Sequence, residues 1–507
     1  MNRITIAWRL LPAIALTLLA GAGSGSSGSP PATNPPPLSA SNMNLIFVVS
    51  EDLAYQAQGD INPSTANLTD RGLQRSLRMA GFLQRRILGK KNATGIYVLE
   101  PMTHLQTVSN NSNYPDIVSA ETIQQFALLN HITLSSAMPP QDIPYTGNSY
   151  PLNASYAEGS VPTGIPTPTP TPGSSGYCGN CQGLDFKDGA GNNETLVTDI
   201  IKAGVPGFYV FSAPWETTKA LLTNINDIED YNLSLPASYQ GPNYIYAISV
   251  TPSGIPRLIT YNSHVSPGSK YSALPAPKPK ISTHCTGQEP FTINVTGGSG
   301  GAKVPPGINT NETVYMIRHA EAHPSGYWDD GNYVCAGQWR ALDLPNALRG
   351  KISPDVVYSI DPAQVIQGTE SALGSSYSYV RPTLTAEPYA IANNLPFGLA
   401  ASFEIFDPDS PERASDFFFF TNATGPNFSN QTVLVAWEHD HIPPTVNSLI
   451  GDYFAPAASP TSAPDWPGTD YDTIWTVKLD AEGNLTVNNT KCEGIDSAAL
   501  PATCPQY

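Results

Sequence analysis

Arg318 and His319 stand side by side in TVYMIRHAEAHP, directly after the apolar run Val314 to Ile317. A short apolar run of this kind reads as a buried parallel strand, and open α/β sheets place their reactive groups at the carboxyl ends of such strands. Glu321 follows within reach of the same end. A neutral imidazole beside a permanent guanidinium suits phosphorus chemistry: Arg318 holds the phosphoryl oxygens while His319 attacks. An Arg-His pair can also simply close a strand at a solvated loop, and short motifs recur by chance. Residues from elsewhere in the chain must decide.

Stepping along the chain from these residues, the elements that would hold them come in two similar series. LIFVVS at Leu45 to Ser50 reads as a strand. It is followed by an amphipathic helix over Leu68 to Ile87, with Leu73, Leu77, Ala80, Phe82 and Leu83 opposed to Arg71, Arg75 and Arg78. Strand GIYVLEP, helices over 118–129 and 196–203, strand FYVFSA, helix 216–224 and the hairpin IYAISVTPSGIPRLITY complete the first series. The second series repeats this order. TVYMI matches NLIFVV, and Gly337, Arg340 and Leu342 match Gly72, Arg75 and Leu77. VVYSIDP matches GIYVLEP, AWEHDHIPPTVNSL shares a Trp-Glu pair with PWETTKALLTNI, and YDTIWTVKLDAEGNLTVN closes the chain as a hairpin. Recurrence of this kind reads as a tandem duplication.

The chain has 507 residues, enough for two or three domains with their own cores. Arg3 and Arg9 precede the apolar run Leu10 to Leu19 and a small-residue stretch, the layout of a signal peptide over 1–23. A Gly/Ser/Pro linker spans 24–42, and Pro/Thr repeats form an insertion at 160–192. Thirteen Asn-x-Ser/Thr acceptor sites, Asn67 and Asn193 among them, and an even set of six cysteines fit a secreted, glycosylated, disulfide-bonded protein. Cys178 and Cys181 form a CxxC in a Gly-rich loop, which suits a local disulfide better than redox chemistry, while Cys492 and Cys504 tie down the tail. A net charge of −17 excludes nucleic acid as a general partner, and no segment after the signal is long enough to span a membrane. In that acidic field an anion site must be a local cluster of cations.

With RHAE, VYSIDP, YVRPTLTA and VLVAWEHDHIP read in this order, the region from Thr313 to Asn488 resembles the histidine phosphatase superfamily, also called phosphoglycerate mutase-like. The resemblance implies an α/β fold: two tandem three-layer α/β/α domains with mostly parallel sheets. It makes 43–262 a degenerate copy, 263–310 a linker or packed extension that holds the short strand-like FTINV, 311–490 the catalytic domain and 491–507 a cysteine-containing tail. It also implies His319 as nucleophile, with Arg318, Arg381 and His439 around the phosphoryl group of a small phosphorylated substrate, and no cofactor or metal. Such a pocket matches the chemistry, since phosphoryl transfer depends on fixed cations around the equatorial oxygens. For the proton donor, the acid phosphatase branch points to Asp440 and the mutase branch to Glu404, with Asp407 beside it and Glu438 third.

Ala322 stands where the phytase pattern has a further arginine, which disfavours a highly charged substrate, and Pro324 keeps to that pattern. His323 and His441 read as structural histidines. In the first series Ser50 and Glu51 align with Arg318 and His319, Thr217 with His439, and Pro115 or Asp116 with Arg381, so that half lacks the phosphate chemistry. Two readings stay open beside a phosphatase: a non-catalytic anion-binding protein, and a phosphotransferase with an alcohol as acceptor.

Overall fold

The structure is a computed structural model. It describes residues 34–57, 59–101, 104–108, 112–129, 132–133, 148–149, 184, 186, 192–265, 285, 287–322, 331–360, 362, 365–367, 376–400, 409–421, 426–456, 458 and 460–505. The expected signal segment, the Pro/Thr insertion apart from residues 184, 186 and 192, Cys178, Cys181, His323, Pro324, Glu404 and Asp407 lie outside the described residues.

The first half builds β1 (Met43–Val49), α1 (Asp70–Phe82), β2 (Gly95–Val98), α2 (Val118–Leu129), α3 (Asn192–Ala203), β3 (Gly207–Ala213), α4 (Trp215–Ile228), β4 (Tyr244–Val250) and β5 (Pro256–Asn262). Its sheet runs β5-β4-β1-β3-β2. Strand β1 pairs in parallel with β3 and antiparallel with β4, and β2 joins β3 in parallel. The second half builds β6 (Thr292–Val295), β7 (Glu312–Arg318), α5 (Cys335–Ala347), β8 (Val356–Ile360), α6 (Arg381–Asn393), β9 (Phe397–Ala400), α7 (Ser410–Phe419), β10 (Thr432–Trp437), α8 (Ile442–Asp452), β11 (Thr473–Leu479) and β12 (Leu485–Cys492). Its sheet runs β6-β12-β11-β7-β10-β8-β9. Five of these strands, β12-β11-β7-β10-β8, repeat the order and pairing directions of the first sheet.

Apolar side chains of β7 alternate between two cores, which is why helices cover both faces. Val314 and Met316 pack with Val446 and Leu449 of α8 and Phe418 of α7, whereas Ile317 packs with Leu344 of α5 and Tyr389 of α6. In the first sheet, Ile46 and Val48 face Met79 and Phe126, and Leu45 and Phe47 face Leu196 and Leu222. Each layer removes its apolar face from water, the main drive for such stacking.

Two glycines hold the first helix of each half against the loop after the first strand. A Cβ on Gly72 would lie 2.1 Å from the Asp60 carbonyl oxygen, and one on Gly337 would lie 2.5 Å from that of Glu321. One turn later each helix buries an arginine. Arg75 pairs with Glu51 and Asp60; Arg340 pairs with Glu321, its Nη2 2.7 Å from the carboxylate, and with Glu493, and donates to the Ile495 carbonyl at 3.0 Å. A buried guanidinium survives only when acids and carbonyls take its protons. Glu321 is therefore turned into the scaffold, where Ser497 also donates to it.

Several boundaries differ from the sequence reading. Packing starts before Met43, since Leu38 is buried and donates its N–H to the Ile87 carbonyl, and Pro36 accepts from the Tyr261 hydroxyl. The stretch read as a linker contains β6, which pairs with β12 as the edge of the second sheet. Cys285 bonds Cys492 and Cys335 bonds Cys504, so the tail is tied down at the two expected cysteines, each to a partner far back in the chain. Asn67 and Asn193 are each 2% exposed, which leaves those two acceptor sites no room for a sugar in the folded chain. From Pro35 to Tyr507 the contacts form one compact unit and do not divide it at the expected boundary. Ala341 and Leu384 share a core with Ala80 and Phe126, and Gln124 exchanges amide hydrogen bonds with Asn332. Among the described residues no helix is long and apolar enough to cross a membrane.

Candidate active site

Parallel pairing of β7 with β10 runs to Arg318 opposite Trp437, and the next residue, His319, donates its N–H to the Trp437 carbonyl at 2.8 Å. Residues that follow two neighbouring strands are thereby brought to one sheet end, Arg318 and His319 from β7 and Glu438 to His441 from β10. Arg381 opens α6, whose N-terminus is directed by its own N–H bond to the Gly331 carbonyl at 3.0 Å. Arg318, His319, Arg381 and His439 are all at least nine-tenths buried. Each imidazole lies close enough to both guanidiniums for their charges to act on it.

His319 has a defined tautomer. Its Nδ1 donates to the Ala320 carbonyl at 2.8 Å, so Nε2 carries the free lone pair. Burial, then the charges of Arg381 and Arg318, hold this imidazole well below its ordinary pKa of 6.5, with the Ala320 bond opposing. The ring is neutral at neutral pH. Tyr379 and Tyr471 present edges to it, at 6.0 and 6.2 Å between centroids.

The guanidinium of Arg318 is fixed from one side. Nη1 donates to the carbonyls of Gly468 (2.6 Å) and Asp470 (3.2 Å), and the group stacks 3.8 Å above the centre of the Tyr471 ring. Its Nε is buried without a hydrogen-bond partner among the described residues, a donor held ready for an anion. Arg381 lies 4.6 Å over Tyr379. Nothing in composition or spacing signals Tyr379, Gly468 or Tyr471, because they act as walls and carry no reactive group.

His439 has its Nε2 3.3 Å from Asp440, whose side chain is 70% exposed, while its Nδ1 is buried without a hydrogen-bond partner among the described residues. Burial first, then Arg318, lowers the His439 pKa, with Asp440 and Glu438 opposing. Glu438 faces the other way: it takes a contact from His441 Nδ1 at 3.1 Å, and His441 packs on Trp437. Burial would raise the Glu438 pKa, but the hydrogen bond and charge of His441, with Arg381 and His439, bring it below 4.5.

In the first half, strand pairing shifts the expected correspondence by one residue. Ser50 donates its N–H to the Ala213 carbonyl as His319 does to that of Trp437, so Ser50 and not Glu51 holds the place of the histidine. Helix α4 starts two residues after β3, whereas four residues, Glu438 to His441, separate β10 from α8. The loop that carries His439 has no room to exist there. Val118, not Pro115 or Asp116, opens α2 as Arg381 opens α6.

No protein-family model matches this sequence, and no curated protein sequence matches it. Among solved structures the chain is similar to a protein assigned as phosphohistidine phosphatase SixA from Agrobacterium tumefaciens, at 16% identity, covering 33% of this chain and 92% of that one, with a TM-score of 0.21. It is also similar to a phosphoglycerate mutase from Plasmodium falciparum, at 13% identity over 39% of this chain and 99% of the other, TM-score 0.22. A phosphoserine phosphatase from Entamoeba histolytica matches at 13% identity over 35% and 96%, TM-score 0.19. The solved structures it is similar to are thus of the histidine phosphatase and phosphoglycerate mutase type.

Proposed function

We propose that this protein is a phosphoric monoester hydrolase that works through a phosphohistidine on His319. One observation carries the reading: a buried imidazole on which the charges of two guanidiniums act, with Nδ1 occupied and Nε2 presenting its lone pair. Nε2 attacks phosphorus, the bond to the leaving oxygen breaks, and water then attacks the phosphohistidine to release phosphate. Arg318 and Arg381 bind the equatorial oxygens, and His439 completes the cage. An ionised Glu438 is a poor acid, which favours Asp440, exposed at the mouth beside His439, as donor to the leaving oxygen; Glu404 is the alternative. The substrate is a small phosphomonoester, and the scheme uses no metal. The repeated sheet order and the paired arginines support two halves derived by duplication, the first without this chemistry. The leader-like first residues and the two disulfides support export.

Hydrolysis of p-nitrophenyl phosphate by the wild type and by His319→Ala tests this. Loss of turnover in the variant, with an acid-labile, base-stable phosphoenzyme trapped only in the wild type, is the expected result. Equal release by both overturns it, and phosphate bound without turnover marks an anion-binding protein. Phosphoglycerol formed in added glycerol marks a phosphotransferase.

A further inference from the structure

At the carboxyl end of its own sheet the first half gathers side chains of the opposite kind. Asp52 follows β1, His104 and Asp116 lie in the connection from β2 to α2, and Glu216 is the second residue of α4. From their geometry we infer that this cluster is a binding site for a divalent transition-metal ion such as Zn2+, ligated by Asp52 and His104.

The histidine is oriented as metal-binding histidines are. Its Nδ1 lies 2.8 Å from Asp116 Oδ2, and the other oxygen of Asp116 accepts from Gln106 Nε2 at 2.8 Å and from the Val118 N–H at 3.1 Å. A carboxylate held in this way accepts a hydrogen bond from Nδ1–H, fixes the ring and leaves Nε2 of the neutral imidazole with its lone pair, the arrangement of an outer-shell carboxylate behind a ligating imidazole. Phe186 stacks on the ring at 4.1 Å and 5°, which restrains its tilt.

What Nε2 faces is the second observation. Asp52 is 4% exposed; its Oδ1 accepts from the Ala54 N–H at 2.6 Å, but its Oδ2 has no hydrogen-bond partner among the described residues and lies 3.4 Å from His104 Nε2. With the ring neutral and Nδ1 donating to Asp116, Nε2 and this Oδ2 are two acceptors facing each other in a dry place, which costs free energy unless a proton or a metal cation lies between them. Zinc takes such donors at about 2.0–2.1 Å, and a tetrahedral angle then sets them about 3.4 Å apart. The observed gap is that ligand-to-ligand edge, and it is longer than a good hydrogen bond. Donor atoms of Asp52, His104 and Asp116 all lie within 4.8 Å of one another. Glu216, whose charge acts on both Asp52 and His104 and which has a buried oxygen without a hydrogen-bond partner among the described residues, supplies a third carboxylate, and Tyr55 hydrogen-bonds to it. Imidazole with carboxylates selects zinc or manganese over calcium. The two halves would then divide the ligand chemistry, with an anion at the second sheet and a cation at the first.

Equilibrium dialysis of the full chain against zinc chloride, followed by metal analysis, tests the site. The only other such trio among the described residues is Glu438, His439 and Asp440, so His439→Ala is the control. One equivalent of zinc is expected in the wild type and in His439→Ala, and less than a tenth of that in Asp52→Asn and His104→Gln, with circular dichroism confirming that the variants fold. Zinc should also raise the melting temperature of the wild type by several degrees and leave that of Asp52→Asn unmoved. Cobalt in the wild type should give the intense visible absorption of a tetrahedral site, a reading that needs no variant. No stoichiometric zinc in the wild type, zinc lost only in His439→Ala, or the weak spectrum of six-coordinate cobalt would each overturn the proposal.

Discussion

Gly468 is solvent-exposed, and its φ lies outside the left-handed range, so alanine there strains nothing in the backbone. Yet its carbonyl holds Arg318 at 2.6 Å, and a Cβ added to it would lie 3.3 Å from Nε2 of His439 and 3.9 Å from Cδ2. The first contact is a few tenths of an ångström too close. His439 is walled in by its burial, so either the imidazole turns or the 468–470 loop retreats and carries the Arg318 anchor with it. Displacements of this size in a phosphoryl cage cost about 10- to 100-fold in rate, or about 1.4–2.8 kcal/mol of barrier. Gly468→Ala should lower kcat/KM for p-nitrophenyl phosphate by that factor, and Gly468→Val should lower it further. The melting temperature of Gly468→Ala should stay within about 2 °C of the wild type, because a surface residue changes stability by less than about 0.5 kcal/mol. A kcat/KM unchanged in Gly468→Ala would refute the placement of His439 and Arg318 around one phosphoryl group.

Because His319 is active when neutral and its pKa is lowered, first by burial, the acid limb of kcat/KM should fall below pH 6.5; a limb at or above that value would place the nucleophile elsewhere. The same lowered pKa makes the unfolded chain bind the proton first, so this residue's contribution to stability is full above about pH 6.5 and declines as the pH falls. Glu312 acts in the opposite sense: burial, against a hydrogen bond from Asn309, raises it from 4.5 to about 8. The folded chain keeps a proton that the unfolded chain has released, so stability falls as pH rises across that interval, by roughly 3–5 kcal/mol. Urea midpoints of Glu312→Gln at pH 5 and 8 should lack that decline, and identical slopes in variant and wild type would contradict it. Arg340→Met leaves Glu321 and Glu493 buried without their cation and should cost about 3–5 kcal/mol in urea unfolding at neutral pH, whereas a loss under about 1 kcal/mol would mean that water or other donors satisfy them.

Sequence alone was enough for the strand that carries Arg318 and His319, the helix opened by Arg381 and the loop with His439, because apolar runs and a Pro at a helix start are local signals. It was also enough for the repeated order of strands and helices, because each element's burial pattern is written into its own residues. Only the tertiary structure decided the rest. Glu321, three residues after Arg318, belongs to Arg340 and the chain's last residues, a pairing made across 19 and more positions that no periodicity encodes. Strand β6 showed in the sequence as the strand-like FTINV of a Pro- and Gly-rich stretch, but its place at the sheet edge was decided by the tertiary structure, since an edge strand of four residues draws its stability from its neighbour β12 rather than from its own composition. Tyr471, Gly468 and the opposed acceptors Asp52 and His104 matter through distances of 3.3–3.8 Å between segments far apart in the chain, and such distances exist only once the sheets have closed.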